Sequence, residues 1–257
     1  MCGIAGFIAN SQNKLELKSI AKKMVDMIGH RGPDDTGIWV DESSQVVFGH
    51  KRLSILDLSM AGHQPMNSKC CRYTLVFNGE IYNHNDIRNK LQDSNEQLLE
   101  WNGHSDTETL LAAIVNWGVE KTLNECVGMF AIALWDKDEG ILTLARDRLG
   151  EKPLYYGWQG NTFLFASELK ALKAHPNFVG EIDRDSLTLF LRYNYIPAPY
   201  SIYKGIKKLL PGSILQLPIN NKKLISVTPY WSLSQVTQNG QKLPLNCSDD
   251  EAVSLLE

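Results

Sequence analysis

Residues 2–7 of the chain read CGIAGF and follow directly on Met1. The apolar residues of this stretch predict a strand over residues 4–9, which would hold the start of the chain in place. Gly3 leaves room for a ligand to approach the backbone closely. The stretch therefore predicts an N-terminus that is both fixed and accessible.

Cys2 makes this N-terminus a candidate nucleophile. Its side chain is small, so Met1 can be removed and cysteine becomes the first residue. The thiol and the α-amine then lie on one residue, and an amine with a reference pKa of about 8 can take the thiol proton directly or through a water. No histidine is needed for such a nucleophile. The alternative is that Cys2 is a small buried apolar residue.

Short β-branched and aromatic runs bounded by Gly, Asn and Asp predict further strands. They cover residues 46–49, 73–77, 129–135, 141–145 and 162–166. Residues 136–140 and 159–161 have the composition of hairpin connections. Many hairpin-linked strands with helices at intervals favour antiparallel sheets covered by helices, an α+β fold.

Helices are fewer, and each has a sequence signal. Apolar residues with helical spacing predict one helix over Leu17 to Ile28. A second begins at 86–91, a third covers 107–117, and a fourth covers 186–193. The third is the best marked, because Ser105 and Glu108 have the spacing of a capping box and Gly118 follows its end.

The chain changes character after Pro197. Prolines punctuate short apolar stretches there, which is typical of a tail wrapped over a core, and the polar residues 232–246 have the composition of a linker. Residues 248–251 form another capping box and start an amphipathic helix without a stop signal. We therefore expect this helix to belong to a larger protein that continues beyond Glu257.

Composition excludes several classes of protein. Of the 257 residues, 26 are Lys or Arg and 29 are Asp or Glu, a net charge of −3 that argues against nucleic-acid binding. No apolar run approaches the ~20 residues of a membrane span, and the N-terminus is no secretory leader. The five cysteines form no CxxC pair, which argues against a disulfide framework or a zinc site. We expect a cytoplasmic protein.

Ordered motifs along the chain resemble a known family. They are CGIAGF (2–7), HRGPDDTG (30–37), GHKRLSILDLSMAGHQPM (49–66), FNGEIYNH (77–84), GHSDTE (103–108), ARDRLGEKPLYY (145–156), FASELKAL (165–172), YIPAPYSIYKGIKKLLPGS (195–213) and PYW (229–231). The chain resembles the class II glutamine amidotransferases, which are N-terminal-nucleophile hydrolases. Within them it is most similar to the glutaminase domain of glutamine-hydrolysing asparagine synthetases.

The resemblance implies a fold and a domain division. The fold would be a four-layer αββα sandwich with two antiparallel sheets. Residues 2–212 would form the glutaminase domain, residues 213–247 a wrapping tail and linker, and residues 248–257 the start of a synthetase domain.

The resemblance also implies an activity and its residues. Cys2 would attack the side-chain amide of glutamine, giving a thioester and ammonia, and water would release glutamate. The resemblance assigns the oxyanion to Asn78 and Gly79, the substrate carboxylate to Arg52, and its ammonium to Glu80 and Asp106. Adjoining substrate contacts would come from Leu53, Ser54, Ile55 and Leu56.

Most of these residues have simpler alternatives. Asn78-Gly79 is more often a tight turn, which would also expose backbone donors. Arg52 by itself would be a surface arginine. Asp106 by itself would be a charge at a helix start, where the helix dipole favours its ionised form.

Neighbouring charged residues are expected to support the site. Arg31 and Asp34 would brace a loop, with Arg31 near the nucleophile, and residues 146–148 would form an ion-pair network. None of the six histidines is expected to be catalytic, including His30, His50, His63 and His104, and their spacing does not match a zinc site.

The partners follow from the same resemblance. Glutamine would be the substrate, and no metal or other cofactor is expected for the glutaminase. ATP and Mg²⁺ would bind only in a synthetase domain, whose SGGxDS-like signature is absent here. A homodimer is left open.

The acceptor of the ammonia stays open as well. It is aspartate, giving asparagine, or a sugar carboxylate in surface-polysaccharide synthesis. Two rival functions are a regulatory or assembly module without turnover, and an amidase acting on another amide.

Overall fold

Two antiparallel sheets form the centre of the molecule. The computed structural model describes residues 1–9, 13–93, 99–221 and 224–256. The strands of this part are β1 Gly3–Ile8, β2 Asp35–Asp41, β3 Val46–Arg52, β4 Met66–Asn67, β5 Tyr73–Ile81, β6 Gly128–Asp136, β7 Ile141–Arg146, β8 Tyr155–Gln159, β9 Thr162–Ala166, β10 Ile206–Lys208, β11 Ser213–Pro218 and β12 Ser226–Pro229. Sheet A has the order β10-β8-β9-β1-β3-β2, and sheet B the order β12-β11-β7-β6-β5-β4.

Helices cover the outer face of each sheet. The helices of the described part are α1 Lys14–Asp26, α2 His84–Asp93, α3 Asp106–Trp117, α4 Val119–Glu125, α5 Leu169–Lys173, α6 Arg184–Tyr193, α7 Leu233–Lys242 and α8 Asp249–Leu256. Helices α1 and α5 pack on sheet A, while α2, α3 and α4 pack on sheet B. None of the helices in the described part is long and apolar enough to cross a membrane.

The apolar core between the sheets makes this a four-layer molecule. Strands of both sheets contribute to it, with Phe48 and Phe165 from sheet A facing Trp135 and Leu144 from sheet B. Burying these faces supplies the main driving force for stacking the sheets. The predicted α+β fold with an αββα arrangement is therefore confirmed.

The CGIAGF stretch forms β1, which lies inside sheet A. It pairs antiparallel with β3 on one side and β9 on the other, and all its residues are buried. Gly6 is required there, because a Cβ at this position would lie 2.2 Å from the Phe165 ring and 2.5 Å from the Val47 carbonyl. The start of the chain is thus fixed from both sides.

All the predicted strands are present, and two of them extend by three or more residues past the expected end. β3 continues to Arg52 and β5 continues to Ile81. Asn78 and Gly79 therefore lie within β5, opposite Ala131 and Phe130 of β6, and the tight-turn interpretation is wrong. Asn and Gly disfavour strands, but pairing along all of β6 overrides that local preference.

The capping box at Ser105 also needs correction. Ser105 caps α3 by accepting a hydrogen bond from the Thr107 amide at 3.0 Å. Glu108 does not return to Ser105; it accepts from the amides of Asn102 and Gly103, at 2.8 and 3.1 Å. Gly118 ends the helix at φ 80°, as expected.

The region after residue 212 is more regular than expected. β11 pairs with β7 and β12 pairs with β11, so sheet B extends to Pro229. Residues 233–242, expected as a linker, form α7, whose polar composition reflects its exposure. The capping box at Ser248 forms as predicted and starts α8, whereas Glu257 lies outside the described residues.

Candidate active site

Cys2 lies at the entrance of β1, next to the end of β3. Its thiol lies 3.7 Å from the Leu53 carbonyl, and the Leu53 amide donates to the sulfur at 3.4 Å. Burial raises the pKa of the thiol, while the Leu53 hydrogen bond and the terminal ammonium act in the opposite direction. The thiol therefore requires a base to give up its proton.

A terminal amine lies beside this thiol. In the chain with Met1 in place the amine belongs to Met1, and burial lowers its pKa below the ordinary value. A lowered pKa favours the neutral amine, which is the form that accepts a proton. The nearby charges are Arg31 and Lys152, which lower this pKa further, and Cys2 and Asp34, which raise it.

Arg31 and Asp34 brace the loops around the N-terminus, as predicted. Arg31 donates from Nε to the Cys2 carbonyl at 2.9 Å and pairs through Nη1 with Glu168 at 2.8 Å. Asp34 accepts from the Ser54 amide at 2.8 Å. Both residues therefore fix backbone next to Cys2 and Leu53.

Asn78 faces the cavity from sheet B with its amide unused. The residue is fully buried, yet neither Oδ1 nor Nδ2 has a hydrogen-bond partner among the described residues. Such groups are costly to leave unsatisfied, at about 1–3 kcal/mol each. An unpartnered buried amide is therefore suited to a ligand.

The backbone amide of Gly79 points to the edge of β5 that faces away from β6. The amides of Phe77 and Ile81 point away from β6, since they donate to Gln64 Oε1 at 2.6 Å and to Asp106 Oδ2 at 3.0 Å. Alternate residues of a strand direct their amides to the same side, so the Gly79 amide lies between these two. A Cβ on Gly79 would lie 2.2 Å from the Met129 carbonyl, which excludes larger residues.

Arg52 ends β3 and lies against a tight loop. Its guanidinium donates to the carbonyl of Ser59 at 2.8 Å and to that of Asp57, and a Cβ on Gly62 would lie 2.0 Å from its Nη2. Asp57 shapes the loop by accepting from Ser59 and His104, and these bonds lower its pKa to about 2. No carboxylate in the described part pairs with Arg52, so its charge is available to a ligand.

Asp106 starts α3 and is buried beside β5. Burial raises its pKa to about 6, although backbone hydrogen bonds, including that from Ile81, act to lower it. The backbone amides of the helix start favour the ionised form, as expected, but desolvation outweighs them and raises the pKa overall. Glu80 is half-buried and raises the pKa of Asp106 further.

These groups surround one cavity of about 90 Å³. Its lining contains nine of the ten predicted site residues: Cys2, Arg52, Leu53, Ile55, Leu56, Asn78, Gly79, Glu80 and Asp106. Ser54 is not in the lining. Met1 is, so its removal enlarges the cavity.

Sequence reasoning missed several polar residues of the lining, among them Gln64 and Lys152. Gln64 links the Phe77 amide to Thr107 Oγ1, and Lys152 is 4% exposed. Both lie in motifs noted above, AGHQPM and GEKPLYY, but neither has a spacing that distinguishes it from a structural residue.

The expected ion-pair network of Arg146, Asp147 and Arg148 is not formed. Asp147 accepts hydrogen bonds from four backbone amides, those of Phe130, Leu149, Glu151 and Lys152. Arg146 donates to three carbonyls, and Arg148 to that of Asn124. Backbone groups of a tight loop thus replace the expected side-chain partners.

The histidines lie outside this lining. His50 is buried with Nε2 3.0 Å from the Phe77 carbonyl, and burial lowers its pKa to about 4. Within the described residues no cluster of His, Cys, Asp and Glu has the arrangement of a metal site.

Solved structures define the class of fold. A glutamine phosphoribosylpyrophosphate (PRPP) amidotransferase from Bacillus subtilis superposes with a TM-score of 0.64 at 18% identity, covering 90% of this chain and 49% of that one. The two chains therefore share a fold, the αββα arrangement of the N-terminal-nucleophile hydrolases.

Sequence comparison narrows this class. The glutamine amidotransferase domain family matches residues 1–231, and the chain belongs to this family. Asparagine synthetase [glutamine-hydrolyzing] 3 of Bacillus subtilis is 37% identical over 236 residues, covering 91% of this chain and 37% of that protein. Amidase chry2 of Gibberella zeae is 33% identical over 245 residues, covering 91% of this chain and 34% of that protein. The chain thus spans little more than a third of these relatives.

Proposed function

We propose that the chain hydrolyses glutamine to glutamate and ammonia through a thioester on Cys2. The observation that carries the proposal is the buried amide of Asn78, which has no hydrogen-bond partner in the described part of the chain and lines the same cavity as the Cys2 thiol. A site that has to stabilise a developing oxyanion needs such fixed donors in a place shielded from water.

The first half of the reaction forms the thioester. The neutral α-amine of Cys2, free after removal of Met1, takes the thiol proton, and the sulfur attacks the side-chain carbonyl carbon of glutamine. Asn78 Nδ2 and the Gly79 amide donate to the oxyanion. The intermediate collapses as the C–N bond breaks, and the amine returns the proton to the departing ammonia.

The second half releases glutamate. A water takes the place of ammonia, gives a proton to the α-amine and attacks the thioester carbon, with the same two donors on the oxyanion. The C–S bond breaks and the sulfur recovers the proton, so the cysteine is regenerated with no net change.

Arg52, Asp106 and Glu80 hold the other end of the substrate. The Arg52 guanidinium binds the α-carboxylate, since no carboxylate of the described residues pairs with it and its own bonds go to loop carbonyls. Asp106 and Glu80 bind the α-ammonium, and a bound ammonium favours the ionised form of Asp106. The rest of the cavity wall comes from Leu53, Ile55 and Leu56. Ser54 supports this wall through its backbone amide, which donates to Asp34.

The ammonia is proposed to serve a synthetase region of a longer protein. The support is that relatives of which the chain covers 37% and 33% bear the name of glutamine-hydrolysing asparagine synthetase. Aspartate is the acceptor that this name favours. The test is to supply the full-length protein with glutamine, ATP, Mg²⁺ and either aspartate or a sugar carboxylate, and to measure the amide product of each.

The glutaminase step is tested with the 257-residue chain. We expect glutamate and ammonia in equal amounts, and Cys2→Ala to reduce this activity at least about 10³-fold. Cys70→Ala is the matched control, because hydrogen bonds lower the pKa of this exposed thiol and make it the better general nucleophile. Mass spectrometry gives the state of Met1. Undiminished turnover in Cys2→Ala, or full activity with Met1 retained, contradicts the mechanism.

A further inference from the structure

Lys152 is a lysine whose surroundings differ from those of an ordinary surface lysine. It is 4% exposed and lines the cavity together with Met1 and Cys2. Across the described residues no carboxylate lies within ion-pair distance of its ammonium group. A charge placed in a cavity shielded from water acts strongly on its neighbours, since the effective dielectric there is low.

The backbone of Lys152 is held without help from its side chain. Its amide donates to Asp147 Oδ2 at 3.0 Å, and its carbonyl accepts from Arg146 Nε at 2.7 Å. Two residues further on, the Leu154 carbonyl accepts from the Leu209 amide at 2.9 Å. The loop is therefore shaped by backbone contacts, which leaves the ammonium group without a structural task.

Met1, Cys2 and Lys152 line the same cavity, so removal of Met1 leaves the new terminal amine, that of Cys2, in one lining with Lys152. With Met1 in place the amine belongs to Met1; burial is the largest cause of its lowered pKa, and the charges of Arg31 and Lys152 lower it further. Cys2 and Asp34 act in the opposite direction, and Arg52, Asp106 and Glu80 face the same cavity. Arg31 is paired with Glu168, so much of its charge is offset. Lys152 is the cation of this set without such a partner and without the backbone carbonyls that Arg52 binds.

We propose that Lys152 is a positioning residue of the nucleophile, whose ammonium group keeps the α-amine of Cys2 neutral and ready to accept the thiol proton. The proposal rests on the glutaminase function proposed above. Lys152 forms no bond with the substrate in this role; it disfavours a second positive charge next to its own.

The test compares pH profiles of kcat/KM for glutamine, measured on chains whose Met1 is shown by mass spectrometry to be absent. Without the Lys152 charge the amine holds its proton to higher pH, so Lys152→Met shifts the acidic limb of the profile upward. At about pH 6 we expect kcat/KM to fall roughly threefold to tenfold below wild type. At about pH 9, where an ordinary α-amine is already neutral, the two profiles meet.

Two further variants separate charge from structure. Lys152→Arg keeps the charge, so its acidic limb coincides with that of wild type. Lys208→Met is the matched control, since Lys208 is a half-buried lysine bonded to the Ile196 carbonyl outside this lining. We expect the acidic limb of the Lys208→Met profile to coincide with that of wild type. If Lys152→Met does not fold, as judged by its thermal transition, Lys152→Gln replaces it.

The outcomes distinguish the two proposals. No glutamine hydrolysis by wild type overturns the proposed function. An active wild type whose acidic limb coincides with that of Lys152→Met, or an equal fall at every pH, overturns the role of Lys152 alone. An upward shift in Lys152→Met that Lys152→Arg does not show supports it.

Discussion

The two sheets contribute opposite kinds of wall to the cavity. On the side of sheet A, Arg52 donates to two loop carbonyls and Cys2 contacts the backbone of Leu53. On the side of sheet B, the buried Asn78 amide has no hydrogen-bond partner among the residues that the structure describes. The Arg52 wall combines support of the fold with the site, whereas the Asn78 amide contributes no hydrogen bond to the fold and, in the proposed function, serves the substrate at a cost to stability.

The largest expected effect follows from substituting one residue of each wall. Asn78→Ala should lower kcat for glutamine by about 10²–10³-fold, the range for loss of one oxyanion donor. Its thermal midpoint should stay the same or rise, because an unsatisfied buried amide is removed. Arg52→Met should mainly raise KM, and should lower the free energy of unfolding by roughly 2–3 kcal/mol, because two loop carbonyls lose their donor. Steady-state kinetics gives kcat and KM of the two variants, and calorimetry gives their thermal midpoints and free energies of unfolding.

Arg72 provides a control for the substitution of Arg52. Arg72 lies beside β5 and pairs with Asp136 at 2.7 Å, away from the lining. Arg72→Met should leave KM for glutamine unchanged. A thermal midpoint that falls as far in Asn78→Ala as in Arg52→Met would remove the difference between the walls.

Asp106 belongs to the sheet B side and gives the next largest effect. Asp106→Asn keeps an acceptor for the Ile81 amide but loses the charge, so KM should rise about tenfold or more. In wild type, KM should rise as pH falls below about 6, the pKa to which burial raises this carboxyl. Initial rates between about pH 5 and 8 measure this. A KM independent of pH over this range would show that Asp106 does not bind the ammonium.

The substitution of Asp106 should raise the stability of the folded chain although it weakens substrate binding. Its pKa is raised from 3.8 to about 6, so between these values the folded chain holds more protons than the unfolded chain. Its contribution to stability is therefore lost as pH rises through this window. At about pH 7 Asp106→Asn should unfold with a free energy roughly 1–3 kcal/mol higher than wild type, a gain in stability with a loss of binding.

The strands were predictable because their signals are local. The apolar runs give the positions of β1, β6, β7 and β9, and the motifs give the residues of the cavity. The continuation of β5 through Asn78 and Gly79 was not predictable, since it depends on pairing with β6, which lies some fifty residues further along. The pKa of Asp106 depends on burial beside β5, and the place of Lys152 in the cavity depends on Met1 and Cys2, so neither is a property of nearby sequence.

The smallest effect concerns the start of α3, which presents Asp106 to the cavity. Ser105→Ala should lower the free energy of unfolding by about 1 kcal/mol, the usual value of a helix N-cap. Glu108→Ala should destabilise the chain separately, because Glu108 holds the amides of Asn102 and Gly103. Denaturant unfolding of both single variants and the double variant gives the coupling between the two residues. Since they bind different backbone groups, it should stay below about 0.5 kcal/mol. A reciprocal capping box, as the spacing alone predicts, would give a larger coupling and would contradict the arrangement described for this helix.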